Sequence, residues 1–204
     1  MSENTPPIKD TGGVLPKSVI VELLLSKYER LPEKDKRYFT SGPVFLGGTA
    51  AVVGLVANSV FRRTLNITQG LFTSSLPMAV LPFLTTVAFY QVTIINPLLS
   101  GDLNCATCTI IRGGLVGGLA GGLYPVMLAL PVSGGLATRY NSSPMPEKGN
   151  VLRFWITLTQ PVLRKMSVVV LLQSLFGICL SSMHYGIYTK MLELPASDSE
   201  ELTE

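Results

Sequence analysis

The chain has 204 residues, of which 47% are hydrophobic and 14% are charged, and its mean hydropathy is +0.41. Because ordinary soluble domains contain about 25% charged residues, this composition excludes a soluble enzyme and predicts an integral membrane protein. The net charge of +3 is too small to indicate a nucleic-acid partner. The expected surroundings of the chain are therefore the lipid bilayer.

The N-terminal 41 residues are predicted to form a tail and an amphipathic helical segment. Residues 1–15 lack both a secretory signal and an arginine-rich transit peptide, and we expect them to form a flexible tail. In residues 16–41, apolar side chains recur at helical spacing among charged ones, and Pro32 interrupts the helix. This pattern favours a helix lying on the lipid headgroups or, alternatively, a helix that docks on a partner.

Four windows without charged side chains follow, and each is long enough to cross a membrane. A helix rising about 1.5 Å per residue needs roughly 20 apolar residues to cross a hydrocarbon core about 30 Å thick. The predicted spans are 43–61, 71–96, 113–131 and 166–188. Residues 42–190 are thus predicted to form an all-α bundle of four transmembrane helices, followed by an acidic disordered tail at 191–204.

The second span contains Pro77, Pro82 and, at its end, Pro97. A proline inside a membrane helix frees a backbone carbonyl, which other groups of the protein must satisfy because lipid cannot. We therefore expect this helix to be kinked and packed inside the bundle.

The third span carries two rows of glycines spaced four residues apart, on one face of a helix. The rows are Gly113, Gly117 and Gly121, and Gly114, Gly118 and Gly122. Small residues in such rows let the backbone of another helix approach closely. The rows predict a helix-packing face, used either inside the bundle or by a helix of a second protein, such as a client.

Cys105 and Cys108 form a CxxC motif in the loop before the third span. Two thiols at this spacing can stay reduced, form a disulfide or exchange with a partner. They could also supply half of a zinc site, with His184 near the same side of the membrane, although a full site needs about four ligands. Membrane thiol oxidoreductases relay electrons through a second cysteine pair, and here the remaining thiol, Cys179, is expected to be buried as a small hydrophobe in the fourth span.

None of these residues is assigned to an active site. His184 is interpreted as a polar residue at the membrane interface. No span interior contains an acid or a lysine, the residues from which transporters build ion and proton pathways. The sequence therefore assigns no catalytic residue, cofactor or metal ligand, and a membrane thiol oxidoreductase using the cysteine pair is the alternative function.

Several segments of the chain resemble the transmembrane protein 126 family in order and spacing. They are ANSVFRR at 57–63, LPFLTT at 81–86, GDLNCATCT at 101–109, GLYP at 122–125, GLATRY at 135–140 and KGN at 148–150. The CxxC loop and QPVLRKM at 160–166 are more similar to the A branch of the family than to its B branch. The resemblance covers nearly the whole chain.

The resemblance implies a multi-pass protein of the mitochondrial inner membrane that is not an enzyme. It implies an assembly factor or chaperone for the membrane arm of respiratory complex I. For the A branch the implied partners are the Oxa-type insertase, nascent mitochondrially encoded membrane subunits and assembly intermediates of the distal membrane-arm module. The implied role includes quality control of membrane-protein insertion, and no catalytic residues are carried over from the family.

Overall fold

A computed structural model describes residues 17–140 and 151–194 of the chain. The predicted tail at 1–15 and most of the acidic tail at 191–204 lie outside the described residues. The described part contains seven α-helices and two π-helical segments, with the second π-helical segment joining α5 to α6. Their bounds are α1 Lys17–Glu29, α2 Glu33–Thr64, α3 Leu71–Tyr90, a first π-helical segment Gln91–Ile95, α4 Asn96–Leu99, α5 Ala106–Leu115, a second π-helical segment Val116–Leu123, α6 Tyr124–Tyr140 and α7 Val151–Glu193.

The predicted all-α membrane fold with four spans is confirmed. Four helical stretches are long and apolar enough to cross a membrane, namely Glu33–Thr64, Leu71–Leu99, Ala106–Tyr140 and Thr159–Glu193. Each extends beyond the span predicted for it, because a helix continues past the hydrocarbon core where polar turns can face water or headgroups. The two ends of the bundle are called here the terminal end, where α2 begins and α7 ends, and the loop end, where α2 ends and α7 begins.

Polar side chains tie the spanning helices together inside the bundle. Gln173 on α7 donates from Nε2 to the Leu46 carbonyl at 3.1 Å and to Thr49 Oγ1 at 2.9 Å, both on α2. Asn58 on α2 donates to Ser74 Oγ on α3 at 3.1 Å. Because lipid offers helices no hydrophobic reason to associate, close packing and such hydrogen bonds hold them together.

Two prolines of the second span, Pro82 and Pro97, lie beside a close contact with another helix or beside an altered helical turn. Pro82 has no N–H for the Met78 carbonyl, and that carbonyl faces Gly54 of α2 so closely that a Cβ there would clash with it. Both π-helical segments end two residues before a proline, Pro97 in one case and Pro125 in the other. The widened turns therefore lie beside positions where a proline removes one backbone N–H donor from the regular hydrogen bonds of the helix.

Helix α1 packs against the bundle of its own chain at the terminal end. Pro32 separates α1 from α2 as predicted, but α2 runs without a break through the predicted boundary at 41. Leu24 of α1 and Leu31, in the turn that follows α1, are buried in the apolar cluster at the terminal end, together with Met191 of α7. Lys27 is also buried and donates to the Leu192 carbonyl at 3.2 Å.

The C-terminal tail begins later than predicted. Helix α7 continues to Glu193, and Met191, which was assigned to the disordered tail, is fully buried under α1. Lys190 pairs with Asp35 at the start of α2 at 3.1 Å. The apolar contact of Met191 with an element distant in sequence extends the helix into a segment whose composition is typical of disorder.

Candidate helix-packing face and thiol loop

The first row of predicted glycines lies against α7. A Cβ added at Gly113 would collide with Ser181 and with the Gly177 carbonyl. At Gly117 it would collide with the Gln173 carbonyl and lie 3.2 Å from Gly177 Cα. At Gly121 it would lie 2.7 Å from Gln173 Nε2. The backbones of the third and fourth spans therefore touch along this row.

The second row lies beside the first on the surface of the third span, and it also faces α7. A Cβ at Gly114 would lie 2.9 Å from Ile178 Cγ1, and one at Gly122 would lie 3.1 Å from Val170 Cα. Gly118 faces the Ser174 hydroxyl, which would also collide with an added Cβ. Because both rows contact α7, they form one continuous packing face within the chain.

The fourth span contributes a small residue that the sequence analysis did not single out. Gly177 fits against the Gly113 carbonyl, and a Cβ there would collide with it. Gly177 and Ser181 are spaced four residues apart on α7, which is the same signal that identified the rows on the third span. This spacing could have predicted α7 as the partner of the glycine face.

The glycine rows also depart from a regular α-helix. Val116–Leu123 is π-helical and contains Gly117, Gly118, Gly121 and Gly122, all of them buried. Because glycine has no side chain, its backbone accommodates the wider turn of a π-helix. In this structure α7 occupies the face that was predicted as a possible client site, so a client helix could use it only by displacing α7.

The cysteine pair lies at the terminal end, at the start of α5. Cys105 is the N-terminal cap of α5, and its sulfur accepts a hydrogen bond from the Cys108 backbone N–H at 3.2 Å. Both thiols are free and exposed. Hydrogen bonds from the Cys108 thiol and from its backbone N–H lower the pKa of the Cys105 thiol below its usual value. Cys105 is thus the more easily ionised member of an accessible pair.

The loop that carries the cysteines is fixed to α7 by two tyrosines. Tyr188 donates to Asn104 Oδ1 at 2.7 Å, and Tyr185 donates to the Asn104 carbonyl at 3.1 Å. These contacts hold the loop in place beside the thiols. These two hydrogen bonds could not be predicted from the sequence, because the loop and α7 are far apart along the chain.

His184 lies inside the bundle and is not brought together with the cysteine pair in a metal site, which corrects the expectation that these three residues could meet. It is fully buried, with Nδ1 2.8 Å from the Tyr90 hydroxyl and Nε2 3.2 Å from the Tyr38 carbonyl. Within residues 17–140 and 151–194, no three His, Cys, Asp or Glu side chains come together to form a metal site. Cys179 is exposed on the outside of the bundle, so its predicted burial is also wrong.

Comparison with known proteins identifies the family. The family model of transmembrane protein 126 matches residues 18–198. The chain belongs to the transmembrane protein 126 family. It is 50% identical to mouse transmembrane protein 126A over 182 residues, which cover 89% of this chain and 93% of that protein. It is 48% identical to the human protein of the same name over 174 residues, covering 85% of this chain and 89% of that protein.

A second branch of the transmembrane protein 126 family is more distant. The human protein named complex I assembly factor TMEM126B, mitochondrial, is 30% identical over 189 residues, covering 93% of this chain and 80% of that protein. The predicted similarity to the A branch is therefore confirmed. No solved structure matches the chain.

Proposed function

We propose that this protein is an assembly factor for the membrane arm of respiratory complex I in the mitochondrial inner membrane. The observation that carries the proposal is the alignment of 93% of the chain with a relative named as a mitochondrial complex I assembly factor. The proposal rests on the similarity of the two sequences along most of their length and not on the shared fold alone, because one fold can host several functions.

Within this proposal, the similarity to the A branch favours the distal module of the membrane arm. The protein acts as a chaperone for newly made, mitochondrially encoded membrane subunits and cooperates with the Oxa-type insertase in their insertion and quality control. It acts by binding and not by catalysis. The glycine face contributes by holding the third and fourth spans together, since α7 fills it.

The first test is to profile respiratory complexes in cells that lack the protein, by native gels and mass spectrometry. We expect selective loss of the distal membrane module of complex I. The cells are complemented with the wild type, with the double variant Cys105→Ser and Cys108→Ser, or with Cys179→Ser as a matched control on the outside of the bundle. All three should restore the module, because the proposed activity does not use thiol chemistry.

Three outcomes would contradict all or part of the proposal. Normal complex I in the deficient cells would remove the assembly role. Rescue by wild type and Cys179→Ser but not by the double variant would favour the thiol oxidoreductase instead. Accumulation of an earlier membrane-arm intermediate, with the distal module intact, would leave an assembly role but contradict the placement at the distal module. Crosslinking of the protein to the insertase during subunit synthesis tests the partnership separately.

A further inference from the structure

Arg62 is a buried cation at the loop end, in the last turn of α2. Its side chain is 6% exposed, and its guanidinium donates to Ser74 Oγ at 3.0 Å, to the Ile67 carbonyl at 3.2 Å and to the Gln69 carbonyl at 2.9 Å. These three bonds use three of the five N–H donors of an arginine. All three acceptors are uncharged, so the positive charge is solvated but not neutralised.

The loop end as a whole lacks neutralising carboxylates among the described residues. Its cations are Arg62, Arg63, Arg139, Arg153, Arg164 and Lys165, whereas the carboxylates of the described residues lie on α1, at the start of α2, in the loop before α5 and at the end of α7. By sequence, the intervening segment 141–150 adds Glu147 and Lys148, which cancel. The loop end therefore attracts anions at the level of the membrane surface.

Two adjoining cavities connect this charge with the lipid-facing surface of α2. The first, of about 540 Å³, is lined by polar groups that include Asn58, Arg62 and Ser75. The second, of about 250 Å³, is an apolar groove that includes Val52 and Val56. Ser59 and Arg63 line both. A cationic pocket at the interface thus continues into an apolar groove running toward the bilayer centre.

We propose that these two cavities bind an anionic phospholipid. The phosphate lies in the first cavity, where Arg63 and the remaining N–H donors of Arg62 contact it. One acyl chain lies in the groove along α2. Basic pockets at the membrane surface recognise anionic headgroups in this way, and a groove leading into the bilayer distinguishes a lipid from a soluble phosphate. The inference does not depend on the role in complex I assembly.

The test measures lipid retained by the purified full chain in neutral detergent, using native mass spectrometry. The protein is mixed with equal amounts of phosphatidylglycerol and phosphatidylcholine. We expect wild type to retain phosphatidylglycerol preferentially. Arg63→Gln should reduce that preference about fivefold, the factor expected for one cation near an anionic headgroup. Ser59→Phe should abolish it by filling the passage between the two cavities.

Both variants change exposed residues, so the bundle should fold, and circular dichroism with size-exclusion chromatography checks this. The matched control is Arg153→Gln, an exposed cation at the same end that does not line either cavity. Equal retention of both lipids by wild type, or equal losses in Arg63→Gln and Arg153→Gln, would overturn the proposal. So would an unchanged preference in Ser59→Phe, or displacement of phosphatidylglycerol by inorganic phosphate.

Discussion

Gly117 and Gly135 lie on the same helical stretch, but an added methyl group would meet different surroundings at each. At Gly117 it would collide with the Gln173 carbonyl, a backbone atom that cannot move aside. At Gly135 no atom lies within 4 Å of the added Cβ. The contact between the third and fourth spans therefore depends on the absence of a Cβ atom at positions such as Gly117.

We expect Gly117→Ala to destabilise the bundle by about 1 to 3 kcal/mol, the usual cost of overpacking. Gly135→Ala is the matched control, and it should be neutral or stabilising by up to about 1 kcal/mol, because alanine favours a helix more than glycine does. Thermal unfolding in detergent, followed by circular dichroism, measures both. Equal melting temperatures for the two variants would contradict the packing geometry.

Among the elements, the spans could be predicted from the sequence but the position of α1 could not. A long stretch without charges determines a spanning helix locally, so the stretch between Arg63 and Asp102 was sufficient to place the second span. The docking of α1 depends on Met191, which is far away in sequence and lies in a segment with an acidic, tail-like composition. For the same reason the burial of His184 beside Tyr90 had no local signal.

A pair of adjacent leucines tests the docking of α1. Leu24 is 3% exposed in the terminal cluster, whereas Leu25 is 47% exposed. Removing a buried leucine side chain costs about 2 to 5 kcal/mol, so Leu24→Ala should release α1 and accelerate hydrogen exchange of its amides at least about tenfold. Leu25→Ala should leave the exchange unchanged. Comparable exchange in both variants would mean that α1 is not held by this contact.

At the scale of the whole molecule, the four spans found among the described residues bring the start of α2 and the end of α7 to one side of the membrane, and the loop end of the bundle lies on the other side. The candidate site was only half predictable at this scale. The spacing of the glycine rows predicted a packing face. The helix that fills this face could not be predicted, because it depends on the arrangement of all four spans. The exposed cysteine pair lies at the terminal end, and Thr68 lies exposed at the loop end.

Single-cysteine proteins test this arrangement with a membrane-impermeant maleimide. One variant keeps Cys105 and carries Cys108→Ser and Cys179→Ser. The other carries Thr68→Cys with all three native cysteines changed to serine. In sealed vesicles of uniform orientation, one variant should be labelled before the membrane is permeabilised and the other only afterwards. Labelling of both from the same side would contradict the span arrangement.

The contact between α1 and the end of α7 has a consequence for the order in which the chain folds. During synthesis α1 leaves the ribosome before the four spans, whereas Met191, which buries Leu24, and Leu192, which binds Lys27, leave it after them. Domains generally fold from the N-terminus as they are synthesised, but α1 has to wait for the fourth span to be inserted. Its docking therefore follows the insertion of the fourth span, and a chain stopped before Met191 would keep an unpaired Lys27 and an exposed apolar face.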